Sequence, residues 1–191
     1  MFGKLRQRKF RKLRKIVERT KNTKFKMKER HGRRLLIFME QKSTKLLLLA
    51  MNKNQRWLLL GIVSPNPETR IETISEIAKE RSRLFVPFLK QMLKDENPVV
   101  RVETMLALEK ISPKKSIPLF LARLNDSSSL VREIAIRILE DNLVELKKTV
   151  KNLDDASRIT KLVKDLANDP SLKVRIRAKK FTSKLVEEFL K

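Results

Sequence analysis

A cluster of helix-breaking and helix-capping residues returns along this chain at a fixed interval. The run Leu93-Lys94-Asp95-Glu96-Asn97-Pro98-Val99-Val100-Arg101 is matched 31 residues later by Leu124-Asn125-Asp126-Ser127-Ser128-Ser129-Leu130-Val131-Arg132. Ahead of each run, Val86-Pro87-Phe88-Leu89 and Ile117-Pro118-Leu119-Phe120 keep the same interval. Shifted backward, the pattern falls on Asn66-Pro67 and Arg70, and sets Trp57 and Ile62 at the core positions of Phe88 and Leu93. Forward, Asp169-Pro170-Ser171-Leu172-Lys173-Val174-Arg175 repeats it after 43 residues, so that unit carries about a dozen extra residues around 142–155. A period of this size is the mark of an array in which each unit is one supersecondary element that cannot bury its apolar face alone.

Each junction has the composition of a tight turn between two helices. An apolar helix ends near Leu93, Leu124 or Ala167, a cluster of Asp, Asn, Ser and Pro breaks it and offers a cap, and a second helix starts at Val-Arg or its equivalent. Three residues beyond the junction Arg stand the small residues Thr73, Thr104, Ala135 and Ala178, where neighbouring helices must approach closely. A core stripe follows, with Ile74 and Ile77, Met105 and Leu108, and Ile136 and Leu139. Phe181, Leu185 and Phe189 share one face of the last helix, 172–190. Three Gly, no Tyr and an abundance of Leu, Ile, Lys and Glu favour helix over sheet.

The pattern resembles HEAT repeats, the family in which an Asp lies six residues before an Arg at the turn between the two helices. The pairs here are Asp95 with Arg101, Asp126 with Arg132 and Asp169 with Arg175, and the resemblance covers residues 56–191. It implies a structural ladder running between consecutive repeats. The first junction departs from the pattern, with Ser64 where the Asp before Arg70 would stand, which suggests a capping or degenerate repeat. Read alternatively as a phosphate-binding row, Arg70, Arg101, Arg132 and Arg175 would leave the acidic residues at the same spacing without a role.

Charge divides the chain differently. The whole carries 46 Lys and Arg against 22 Asp and Glu, a net of +24, which opposes compaction through self-repulsion and calls for a polyanionic partner. Residues 1–34 hold 16 of the cations against Glu18 and Glu29, a net of +14, while residues 57–191 carry only +7. This arm contains Lys4, Arg6, Arg8, Lys9, Arg11, Lys12, Arg14, Lys15, Arg19, Lys21, Lys24, Lys26, Lys28, Arg30, Arg33 and Arg34. Leu5, Phe10, Leu13, Ile16 and Val17 give residues 4–19 a thin apolar stripe at helical spacing, whereas residues 25–34 have little periodicity. Between arm and array, the apolar runs Leu35–Met39 and Leu46–Met51 read as one helix or a broken pair closing the N-terminal end of the stack.

Catalytic chemistry finds little to work with. His31 is the sole histidine and lies in the basic arm, Cys is absent, and no nucleophile motif, metal-ligand spacing or Gly-rich phosphate loop can be assembled. No stretch approaches the continuous apolar length needed to span a bilayer.

The expectation is therefore an all-α fold: a short right-handed α-solenoid of HEAT-type helical hairpins over 56–191, capping helices over 35–55, and a helical or extended basic arm over 1–34. The expected function is binding of nucleic acid through phosphate-backbone contacts, because Lys and Arg release counterions and need no fixed geometry to do so. Structured RNA, and ribosomal RNA in particular, is favoured because a compact body with a long, Gly-poor basic extension resembles the build of ribosomal proteins. Ribosomal proteins are then possible neighbours. Second contacts fall on Lys110, Lys114 and Lys115 at one turn, on Lys147, Lys148 and Lys151 in the insertion, and on Lys173, Arg177, Lys179, Lys180 and Lys184 near the end. The alternatives are a DNA-binding protein and a scaffold that binds another protein along the solenoid. No enzyme activity, cofactor, metal, small-molecule substrate or membrane is expected, and the location expected is cytoplasmic.

Overall fold

The computed structural model describes residues 52–189, which contain nine α-helices, three 3-10 turns and no strand. The chain divides into two compact units, one ending at Ile77 and one beginning at Ala78. The sixteen arm cations and the apolar runs of 35–51 lie outside the described residues.

In the first unit, α1 (Lys53–Ile62) starts from a capping box in which Asn52 Oδ1 accepts the Gln55 N–H and Gln55 Oε1 accepts the Asn52 N–H, both at 2.9 Å. Helix α2 (Pro67–Glu80) follows a turn in which Ser64 Oγ accepts the Asn66 N–H and Asn66 Oδ1 accepts the Glu68 N–H. The two helices meet at Gly61, where a Cβ would stand 2.1 Å from Thr73 Oγ1. Thr73 Oγ1 is itself held by donating to the Thr69 carbonyl at 2.7 Å. Leu59, Leu60, Ile62, Val63, Ile74 and Ile77 are buried.

Trp57 departs from its expected place in the core. It is 46% exposed, on the rim of an apolar recess of about 240 Å³ shared with Leu58, Leu60, Gly61, Thr69 and Thr73. Phe88, at the equivalent position 31 residues on, is fully buried against Phe85, with ring centroids 6.1 Å apart. The residue matching Phe85 in the first unit is Asn54, which is exposed. Leu119, the next member of that series, is half-buried.

The second unit is built of hairpins: α3 (Val86–Met92) with α4 (Pro98–Ile111), α5 (Pro113–Ala122) with α6 (Ser129–Asp141), and α8 (Leu153–Asp165) with α9 (Leu172–Phe189). The second helices of the hairpins, α4, α6 and α9, pack side by side in chain order and form one continuous layer. Their packing positions are small or apolar and fully buried, including Thr104, Met105, Leu108, Ala135, Ile136, Leu139, Ala178 and Phe181. Leu185 is also buried and Phe189 is half-buried.

Helix ends follow the local chemistry. Asn97 caps α4 by accepting the Val99 N–H, with Pro98 at the first helical position. Asn152 caps α8, whose first turn carries Asp154 and Asp155, the sign that a helix N-terminus favours. Helix α2 gives way to a left-handed residue, Arg81, at φ 49°. Pro87 and Pro118 are 31 residues apart but differ in setting. A 3-10 turn, Arg83–Phe85, precedes α3, so Pro87 falls in its first turn, whereas α5 starts at Pro113 and encloses Pro118. The insertion contains a short helix, α7 (Leu143–Lys147), anchored by the fully buried Leu146 and packed on α5 and α6. Among the described residues no helix is long and apolar enough to cross a membrane.

Candidate functional site

The turns between the paired helices carry the most ordered polar geometry of the second unit. In each, an Asp carboxylate accepts the N–H two residues on: Asp95 from Asn97 at 3.0 Å, Asp126 from Ser128 at 2.9 Å and Asp169 from Ser171 at 2.8 Å. The Arg six residues after each Asp folds back onto the turn and donates from Nη1 to two main-chain carbonyls. Arg101 reaches Asp95 and Glu96, Arg132 reaches Asp126 and Ser127, and Arg175 reaches Asp169 and Pro170. The sequence spacing of six thus reflects an Arg bound to the backbone of its own turn.

Two of these carboxylates, Asp126 and Asp169, are engaged from the preceding repeat. Arg101 Nε and Nη2 donate to Asp126 at 3.0 and 2.6 Å, and Arg132 Nε and Nη2 donate to Asp169 at 2.6 and 2.8 Å. Both are fork-to-fork contacts, the strongest geometry open to this pair of groups. The side chains are 9% and 4% exposed in the first rung and 13% and 3% in the second. Burial pushes the Asp126 carboxyl up, but hydrogen bonds from Arg101 and the Ser128 N–H outweigh it and hold the group below its ordinary value. The hydrogen bond from Arg132 holds Asp169 low against the opposing effect of burial, and raises Arg132 in turn. In the first unit the fully buried Arg70 donates from Nη1 to the Ser64 and Pro65 carbonyls at 2.8 and 3.1 Å, with Ser64 Oγ taking the turn-capping place of the Asp carboxylate.

The cations proposed for binding fall into two groups. Lys147 pairs with Glu188, Lys148 with Glu145, Lys184 with Glu140, and Arg177 lies near both Glu133 and Glu140. Lys147, Lys184 and Arg177 neutralise acids of neighbouring helices, and Lys148 an acid of its own helix. Lys110, Lys114, Lys115, Lys151, Lys173, Lys179 and Lys180 are exposed and have no acidic partner within ion-pair distance among the described residues. Lys114 and Lys115 occupy the first turn of α5, where the helix dipole disfavours cations. Lys179 and Lys180 stand together on α9.

Two contacts have no counterpart in the repeat pattern. Arg123 Nη1 donates to the Leu93 carbonyl at 3.0 Å, tying the end of one first helix to the end of the one before it. Asn142 Nδ2 donates to Glu109 Oε1 at 2.7 Å between α4 and the start of α7. The positions matching Arg123 are Met92 and Leu166, so periodicity offers no signal for it. Among the described residues no group of three or more His, Cys, Asp or Glu side chains is placed to hold a metal ion.

Comparison with curated proteins and with solved structures finds no match for this chain. A family model for HEAT repeats matches residues 56–140, which span the first three of the four junctions. Together with the helical hairpins and the rungs that join their turns, this match supports reading residues 56–140 as HEAT repeats.

Proposed function

We propose that this helical-repeat scaffold binds structured RNA, ribosomal RNA foremost, through phosphate-backbone contacts. The observation that carries the reading is the concentration of charge: a net of +14 in residues 1–34 of a chain whose total is +24. Self-repulsion at this density opposes the compact state, and neutralisation by phosphates with release of counterions removes it. The exposed Lys110, Lys114, Lys115, Lys179 and Lys180 extend the same chemistry onto the repeats. Their location on helix surfaces suits contact with backbone and shape, and the sequence carries no base-reading motif. HEAT arrays are typically scaffolds, and binding of this kind asks nothing catalytic of the residues present.

The test is binding of the full chain, and of a chain lacking residues 1–34, to ribosomal subunits, structured RNA and duplex DNA across a salt series. The proposal requires affinity that falls steeply with salt, depends on the arm and is highest for RNA. A preference for duplex DNA would transfer the same chemistry to the other nucleic acid. Weak binding that is indifferent to loss of the arm would refute the polyanion reading and leave a scaffold for protein partners.

A further inference from the structure

Arg175 has two ladder donors to spare among the described residues. Arg175 repeats the inner half of the rung geometry, with Nη1 donating to the Asp169 and Pro170 carbonyls at 2.8 and 3.0 Å. In Arg101 and Arg132 this anchorage aims Nε and Nη2 at the carboxylate of the following repeat. Among the described residues no carboxylate meets those two donors of Arg175. The guanidinium is held in the geometry that twice receives a carboxylate elsewhere in the same molecule, so little ordering entropy remains to be lost on binding a third.

The surroundings indicate what would bind. Leu172 and Ile176, three residues before and one after Arg175, are 60% and 61% exposed. The residues matching Ile176 in the interior repeats, Val102 and Glu133, are half-buried. Further along α9 the surface turns polar. Lys179 stands where Met105 and Ile136 are fully buried, and Thr182 where Leu108 and Leu139 are. A polar outer face is what terminates a repeat array, and here it covers only the far part of the helix. The two most exposed apolar side chains of the helix thus stand at the turn end, around a ready-made carboxylate fork, with Val186 at 39% the exception farther along.

We propose that the turn end of α9 docks a short acidic and apolar protein segment, its Asp or Glu side chain accepting the outward N–H groups of Arg175 and its apolar neighbours covering Leu172 and Ile176. A second copy of this chain is a poor occupant. Its first turn offers Ser64 where the ladder needs a carboxylate, and two chains of net charge +24 repel. The apolar flanks favour a protein carboxylate over a nucleic-acid phosphate. This site is independent of the RNA reading, which rests on the arm.

The experiment screens the full chain against short synthetic peptides, each carrying one Asp or Glu beside Leu, Ile or Val, together with Asn and Gln twins. A subset of acidic peptides should bind in preference to their twins, and Arg175→Gln should weaken them about tenfold or more. Arg175→Gln also removes two bonds to the turn, so Ile176→Glu, at an exposed position, provides a second variant, and it should weaken the same peptides comparably. Lys90→Gln, at an exposed position of α3, should leave them unchanged. Peptides bound equally by wild type and both variants would reflect attraction to the basic arm alone and overturn the proposal, as would an absence of selective binding. Arg175→Gln weakening a single-stranded RNA oligonucleotide but no peptide would overturn it in favour of a phosphate site.

Discussion

Arg132 holds two consecutive turns at once: Nη1 binds the Asp126 carbonyl of its own turn at 2.7 Å, and Nε binds the Asp169 carboxylate of the next at 2.6 Å. One side chain therefore fixes both the shape of a turn and its distance from its neighbour. Arg132→Gln leaves Asp169 nearly buried without its counter-charge and should destabilise the fold by about 3 kcal/mol in urea denaturation. Asp169→Asn keeps a polar group that can still accept the Ser171 N–H, and should cost less. A double-mutant cycle on the pair should return a coupling energy well above that of Lys148 with Glu145, an exposed pair three residues apart on one helix.

The same rungs impose a pH dependence. Asp126 and Asp169 are held below their ordinary value of 3.8 in the folded protein, so their contribution is complete above that value and disappears as pH falls through the folded values. Stability should fall as the pH drops below about 4. Asp126→Asn and Asp169→Asn should each start lower at neutral pH and show a shallower acid limb. Thermal melts at a series of pH values would show this, and parallel acid limbs for variants and wild type would contradict it.

Gly61 is required by Thr73. A methyl at residue 61 would meet Thr73 Oγ1 at 2.1 Å, Cγ2 at 2.8 Å and Cβ at 2.9 Å. Alanine gains helix propensity of about 1 kcal/mol there, and overpacking of about 1–3 kcal/mol opposes it. Gly61→Ala should therefore be destabilising on balance. Thr73→Ala removes the two nearest atoms and should restore part of the loss in the double variant, measured by chemical denaturation.

Lys114 and Lys115 oppose the dipole of α5 and should trade stability against binding. Lys114→Glu with Lys115→Glu should raise stability by about 0.3–1 kcal/mol per site at low ionic strength while weakening RNA binding. Melting temperature and RNA affinity, measured on the same variant, should move in opposite directions. Unchanged RNA affinity would remove these two lysines from the interface.

The hairpins were legible because their turns depend on local chemistry: Asp95, Asn97 and Pro98 cap and break helices wherever they stand. The identity of the rung partners was not, because a spacing of six between Asp126 and Arg132 names two residues of one turn, while the contact that joins turns pairs Arg132 with Asp169, 37 residues away. Periodicity likewise set Trp57 beside Phe88 without showing that Asn54 replaces the ring of Phe85 above it. Basic composition marked Arg177 and Lys184 as readily as Lys179 and Lys180, yet the first two lie beside Glu133 and Glu140, acids presented by α6. Depth and pairing are properties of the packed helices, and a single helix does not encode them.

Arg101 and Arg132 are 31 positions apart and Arg132 and Arg175 are 43, but the two rungs close with the same atoms. The additional chain is taken up by α7 and the turn behind it, outside the ladder. The pitch of the stack is thus set at the turns, and the link from one hairpin to the next is free to vary in length. Such a link is a natural insertion point: a loop or a small domain spliced in after Lys148 would be displayed at the edge of the array while every rung kept its register.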